Sequence, residues 1–260
     1  MAQSLKKIVR ITKAAIKGEF FDFTEIDIRK AIVLLAIPMM LELMLESVFA
    51  VVDIYFVNKL GADAVSAVGL TESVITIVYS IGIGLSAGAT AMVARRVGEK
   101  DNDAASKAGA QAIMMAVLVS VILGIVGYMY SSNILKLMGA NQRTIAIGAD
   151  YCSIMLAGNM AIILLFLING IFRGAGNASV AMKSLWVGNI FNIILDPLFI
   201  FGIGFFPKLG VTGAAVATTT GRCIGVLYQC YHLYKARDII KMKRSHFVPN
   251  FKIMKGLVEI

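Results

Sequence analysis

The sequence predicts an all-α membrane protein, a six-transmembrane-helix bundle, and three observations carry that prediction. Apolar residues make up 58% of the 260 and charged residues only 16%, against about 45–50% and about 25% in soluble domains. Mean hydropathy is +0.79, and the chain holds just four prolines. At ~20 apolar residues per span plus short loops, the length leaves room for about six crossings. A soluble enzyme, a disordered regulator and a secreted disulfide scaffold are poor fits to these values. Cys152, Cys223 and Cys230 all fall in apolar segments and are expected to be buried small hydrophobes rather than a disulfide framework.

Residues 1–30 are charged and amphipathic, without the apolar core and small-residue cleavage site of a signal peptide, and read as a cytoplasmic N-terminal segment. Six spans are expected at about 31–57, 65–93, 105–130, 144–171, 179–205 and 211–234, so that the lobe covers 31–234. Residues 235–260 read as a cytoplasmic linker followed by the start of a truncated seventh helix, FKIMKGLVEI. An even number of spans returns the chain to its starting side. A second six-helix unit would therefore repeat the first in parallel, and the sequence is expected to be one half of a two-lobed protein whose carboxy-terminal lobe is missing.

The formal net charge of +9 is a topology signal. Lysines and arginines crowd the first 30 residues, the second connection (Arg95, Arg96, Lys100, Lys107), the fourth (Arg173, Lys183) and the residues after 234. The opposite side has only Lys59, Lys136, Arg143 and Lys208, and Arg222 lies inside the sixth span. The positive-inside bias then places both ends of the chain in the cytoplasm, as expected of a multi-pass protein of the cytoplasmic membrane. Anionic lipid is the partner this charge implies, and nucleic acid is not needed to explain it.

Carboxylates within the spans cost at least ~2.5–3.5 kcal/mol each at the bilayer centre and call for a partner or a function. Glu42, Glu46 and Asp53 share one face of the first helix, and Asn189, Asn192 and Asp196 share one face of the fifth. Counted from the outer end of each expected span, Asp53 lies about five residues in, Asp196 about nine, and Thr218 and Tyr151 about seven, so they reach one layer ~7–14 Å deep. Two carboxylates, an amide, a hydroxyl and a phenol make a hard oxygen cage suited to a small cation or to protons. Asn169 lies at the cytoplasmic end of the fourth span and is expected not to reach this layer. The bland alternatives are a fixed ion pair between Asp53 and Arg222, and an Asp196 that merely caps backbone groups freed by Pro197. Glu72 and Asp150 lie near expected span ends, where headgroup exposure is the simpler reading. His232 and His246 fall on the cytoplasmic side, no nucleophile–base pair or zinc spacing is visible, and no enzyme or cofactor is expected.

The runs VVDIYFVNKLGADAVSAVGL, FRGAGNA, NIILDPLFIFGIG and GVTGAAVATTTG resemble the multidrug and toxic compound extrusion (MATE) family over about residues 30–260. The resemblance implies one lobe of a twelve-helix, two-lobed transporter that exports cationic or amphipathic compounds in exchange for Na⁺ or H⁺. Matched motif by motif, it implies a coupling-ion site (for Na⁺, a metal site) at Asp53, Asn192, Asp196 and Thr218, with Tyr151 as a hydrogen-bond partner. Glu46, with Asn189, falls where family cavities meet substrate, and a carboxylate there favours cationic cargo. The GFFPK stretch makes the fifth connection longer than in compact members, so the match at Thr218 is looser than at Asp196. Two other readings stay open: a flippase for lipid-linked precursors, which would line its cavity with cations, and a non-transporting scaffold, whose buried acids would be replaceable in pairs by apolar residues.

Overall fold

A computed structural model describes residues 10, 12–18, 26–235 and 239–259. Its helices are α1 (Ile28–Asn58), α2 (Ala62–Gly98), α3 (Asn102–Leu137), α4 (Gln142–Ala157), α5 (Asn159–Gly174), α6 (Ala178–Phe201), α7 (Val211–Lys235) and α8 (Phe251–Val258), with a 3₁₀ turn at Arg244–Phe247 before the last. No strand occurs among the described residues. The six expected spans are all present, the fourth being α4 and α5 in succession, interrupted at Gly158. Five spans are long and apolar enough to cross a membrane by length and composition. The sixth, α7, is more polar because it carries Thr218, Thr219, Thr220, Arg222 and Gln229.

Local chemistry explains where the helices start and stop. Asp27, Asp101, Asn141 and Asn177 each accept a hydrogen bond from a backbone N–H of the first turn of α1, α3, α4 and α6, satisfying donors that have no partner within the helix. The expected fifth span ran to 205, but α6 ends at Phe201 because Gly202 turns into the left-handed region (φ 71°), a conformation that costs other L-residues more. Asp196 thus lies five residues from the end of its helix, the same depth as Asp53 from the end of α1.

Small residues hold the lobe together. A Cβ on Gly221 would lie 2.6 Å from the Gly188 carbonyl oxygen, and one on Gly188 2.9 Å from that of Gly221, so α6 and α7 touch backbone to backbone. In lipid such close approach replaces the hydrophobic drive between helices. The α2–α5 contact adds hydroxyl bonds, Ser86 Oγ to the Phe166 carbonyl at 2.8 Å and Thr90 Oγ1 to that of Gly170 at 3.0 Å. The continuous core is built from residues such as Ile75, Ile163, Leu167 and Ile171, all buried. Met44, Val48 and Val51 of α1 and Leu118, Ile125 and Met129 of α3 are exposed.

Two peripheral segments lie against the bundle. Helical residues 12–17 set Ala14 and Ala15 against Leu34, and Ser179 Oγ donates to the Ile16 carbonyl at 2.7 Å. The rest of the expected 1–30 segment up to residue 25, apart from residues 10 and 18, lies outside the described residues. Beyond α7, the buried amide of Gln111 in α3 holds the chain through three bonds. It donates to the carbonyls of His246 and Val248 and accepts from the Asn250 N–H. Cys152 is buried as expected, but Cys223 and Cys230 are exposed on α7, seven residues apart on the face opposite the buried Gly221, Gly225 and Gln229.

Candidate functional site

The residues expected at the outer layer meet where α1, α6 and α7 converge. Asn192 Nδ2 donates to Thr218 Oγ1 at 2.9 Å and, at 3.5 Å, to Asp196 Oδ1. The carboxyl of Asp53 abuts that of Asp196. Asp196, Asn192 and Thr218 are buried, at 0%, 2% and 5% exposure. Four residues on three helices therefore form one cluster. Its bonding is incomplete in one direction: Asp53 Oδ1, Asn192 Oδ1 and Asp196 Oδ2 are buried acceptors without a hydrogen-bond donor among the described residues. Two carboxyls in contact need a proton or a cation between them, and spare buried oxygens are what a hard cation takes. Among the described residues no three His, Cys, Asp or Glu side chains gather as a metal site, so any cation held here relies on neutral oxygens from Asn192 and Thr218 as well.

Neither bland alternative is seen among the described residues, and Tyr151 and Glu72 sit differently from expectation. Asp53 does not pair with Arg222, whose guanidinium donates instead to the Tyr79 hydroxyl, because α7 points it across the lobe toward α2. The Asp196 carboxyl meets Asn192 and Asp53 and, among the described residues, no backbone group near Pro197. Tyr151 is buried, but it faces the Glu72 carboxyl on α2 rather than bonding to the four-residue cluster. Glu72 is correspondingly not a headgroup residue. It lines the central cavity, since α2 begins at Ala62 and places it ten residues inside the helix. Asp150 is exposed, in keeping with its expected place at a span end.

The cavity, of about 490 Å³, opens between α1, α2, α5, α6 and α7, with Glu42, Glu46, Asp53, Glu72, Thr218 and Arg222 among its polar lining and Phe49, Phe166 and Leu185 among its apolar lining. That volume suits a drug-sized molecule. Glu46 and Asn189, singled out for the cavity, meet directly: Asn189 Nδ2 donates to Glu46 Oε2 at 2.9 Å.

A second buried polar cluster lies toward the opposite end. Arg173 approaches Glu42 at 3.5 Å and Asn169 Nδ2 donates to the same oxygen at 3.5 Å. Behind them Asn169 Oδ1 accepts from Gln229 Nε2 at 2.7 Å and from Ser184 Oγ at 3.0 Å. Asn169 is thus kept out of the outer layer, as expected, and ties α5 to α1, α6 and α7. Gln229 was not singled out in the sequence. A glutamine on a membrane helix carries no charge signal, and its value emerges only with its three partners.

Comparison with known proteins places these motifs. The MatE family model matches residues 38–198. An FAD transporter of Shewanella oneidensis is 30% identical over 184 residues, covering 71% of this chain and 41% of the relative. The multidrug export protein MepA of Staphylococcus aureus is 26% identical over 243 residues, covering 93% of this chain and 53% of the relative. Two solved structures superpose with TM-score 0.84 at 30% identity over 91% of this chain and 52% of theirs. One is a MOP superfamily transporter from Pyrococcus furiosus for which a reversed pocket polarity is described, and the other an outward-facing multidrug resistance MATE family transporter. The chain spans about half the length of the curated relatives it matches. With the family model covering more than half of its residues and its helices superposing on such a transporter, this multi-pass membrane chain belongs to the MatE family, the multidrug and toxic compound extrusion transporters.

Proposed function

We propose that the protein is a cation-coupled antiporter of the cytoplasmic membrane that exports cationic or amphipathic compounds by alternating access. The observation that carries this reading is the set of three buried oxygens, on Asp53, Asn192 and Asp196, that find no donor among the described residues, in a cluster where two carboxyls abut. Coupling Na⁺ or H⁺ enters there from the outer side, with Thr218 completing the oxygen set and Tyr151 holding Glu72 beside it. Cargo enters the neighbouring acid-lined cavity at Glu46 and Asn189 from the cytoplasm while the carboxylates are free of the ion. Ion and cargo drive each other only because each binds one state of the transporter better than the other.

The half-length match supports a second lobe as the partner that closes the cavity, with both ends of the present lobe cytoplasmic by the positive-inside bias. Export of an intact flavin dinucleotide, as the Shewanella oneidensis relative's name describes for that protein, is disfavoured by the four carboxylates that line the cavity. The test is dye efflux from vesicles of the full-length protein under imposed Na⁺ and pH gradients, with Asp53→Asn and Asp196→Asn alongside. Gradient-driven efflux is expected in the wild type and not in either variant. Unchanged efflux in both would sink the site assignment, and efflux indifferent to both gradients would sink the coupling.

A further inference from the structure

Arg222 is a guanidinium set in the wall of the cavity, with most of its donors unused among the described residues. An arginine has five N–H donors in a rigid fork, and a charged group inside the membrane ordinarily finds an opposite charge. Among the described residues Arg222 has one hydrogen-bond acceptor, the Tyr79 hydroxyl, and its guanidinium carbon lies 5.5 Å from the centre of the Tyr79 ring. Among the described residues no ion pair joins it to a carboxylate, although Glu46, Asp53 and Glu72 are within electrostatic range and share the cavity with it.

The tyrosine is itself fixed, edge-on to Phe166 at 5.6 Å. The arginine is therefore held at one edge by a neutral partner and half-buried at the cavity. Glu46, on α1, is treated the same way: its partner is the neutral amide of Asn189. Two opposite charges on different helices, each restrained by a neutral group and not by the other, leave the cavity polarised, with apolar Phe49, Phe166 and Leu185 in its walls. A purely cationic cargo uses only the acidic part of this arrangement and meets Arg222 as a repulsive neighbour.

We propose that Arg222 is the anion-contacting residue of the cargo cavity, and that the preferred cargo is an organic zwitterion, with a carboxylate received by the Arg222 fork and an organic cation received by Glu46 across an apolar middle. This rests on the transport reading above and narrows its substrate class. Arginine rather than lysine fits the role because its planar fork engages both oxygens of a carboxylate. Tyr79 acts as a positioning residue through Arg222.

A matched pair of dyes tests the assignment: tetramethylrhodamine, a zwitterion with a free carboxylate, and its methyl ester, a cation of nearly the same shape. Binding and efflux of both are measured with the full-length protein in proteoliposomes. The wild type is expected to favour the acid over the ester at least fivefold. Arg222→Gln is expected to weaken the acid about tenfold while leaving the ester unchanged or tighter. Tyr79→Phe is expected to weaken the acid about twofold. Arg222→Lys, which keeps the charge without the fork and guards against a folding defect of the glutamine variant, retains part of the preference for the acid.

Equal losses for both dyes in Arg222→Gln and Arg222→Lys would overturn the assignment in favour of a structural or ion-coupling role, as would a wild type that moves both dyes equally. A wild type that binds and moves neither dye would instead overturn the transport reading itself.

Discussion

The lobe buries two polar clusters of similar size, one toward each end, and they differ in the balance of donors and acceptors. The outer one has two abutting carboxyls, an amide and a hydroxyl, with three oxygens lacking a donor among the described residues. The inner one has a single carboxylate, Glu42, facing the guanidinium of Arg173 and backed by Asn169, Ser184 and Gln229. Its unpaired atoms are one oxygen each of Glu42 and Gln229. Burial of polar groups in a bilayer is therefore not by itself the mark of an ion site. On the proposed reading the outer cluster takes its positive charge from outside as the coupling ion, whereas the inner one has Arg173 facing its carboxylate and joins four spans.

Function separates the two most sharply. In the full-length protein, Asp53→Asn or Asp196→Asn is expected to lower ion-driven efflux at least a hundredfold, about 2.7 kcal/mol in transition-state terms. Glu42→Gln is expected to leave the dependence on the ion gradient in place. Initial rates of dye efflux at matched protein content measure both, and equal loss of ion dependence in Glu42→Gln would erase the distinction between the clusters.

Stability is expected to run the other way. Removing one partner of a buried charge pair costs ~3–5 kcal/mol because the other charge is stranded. Arg173→Leu should therefore destabilise strongly, at the lower end of that range since the side chain keeps 19% exposure. Asp53→Asn removes one of two abutting carboxyls and should leave thermal unfolding in detergent unchanged or shifted upward. A variant of Asp53 that melts as early as Arg173→Leu would show the outer cluster to be structural.

Much of this fold was legible in the sequence, and the reason is physical. Spans of the required length can be read from apolar runs because a bilayer forbids most alternatives. That Asp53, Asn192 and Asp196 meet was legible as well, because charged and amide residues on one helix face are rare in apolar segments; Thr218 was reached by its depth and by the family resemblance. What escaped depended on direction across helices. Nothing local indicates that Arg222 reaches Tyr79 instead of Asp53, or that Glu72 turns inward to Tyr151. Glu72 looked terminal only because the apolar run of α2 starts later than the helix does. Gln229 and Ser184 were invisible because neutral residues of low polarity contrast acquire meaning only through Asn169.

A smaller and more local test moves a backbone contact near each cluster in turn. A Cβ at Gly221 would lie 2.6 Å from the Gly188 carbonyl oxygen and 3.0 Å from Asn192 Cβ, whereas one at Gly225 would lie 3.0 Å from the Ser184 carbonyl oxygen. Overpacking of this kind costs ~1–3 kcal/mol. Gly221→Ala is expected to reduce the apparent affinity for the coupling ion severalfold, by displacing Asn192 from Thr218. Gly225→Ala is expected to lower the melting temperature without that change. Ion titrations of efflux beside melting curves distinguish the two, and an identical pattern for both variants would mean that the α6–α7 contact responds as one rigid unit.

The smallest effect belongs to an ion pair outside both clusters, and it shows what burial contributes to them. Glu99 follows the end of α2, where the helix dipole disfavours an acid. It accepts hydrogen bonds from Arg95 at 3.0 Å and Arg96 at 2.8 Å, and these hold its carboxyl below the usual glutamate range. A depressed folded-state value means that the contribution is complete at pH above the ordinary glutamate value and disappears as the pH falls through the lower, folded one. The group is fully exposed, so water and salt screen the pair and the contribution is small at any pH. Glu99→Gln is therefore expected to leave the melting curve unchanged at neutral pH, at both low and high ionic strength. A clear, salt-sensitive loss would mean that geometry alone gives such pairs their strength, and the contrast drawn between Glu42 with its arginine and the bare carboxyls of Asp53 and Asp196 would then lose its basis in desolvation.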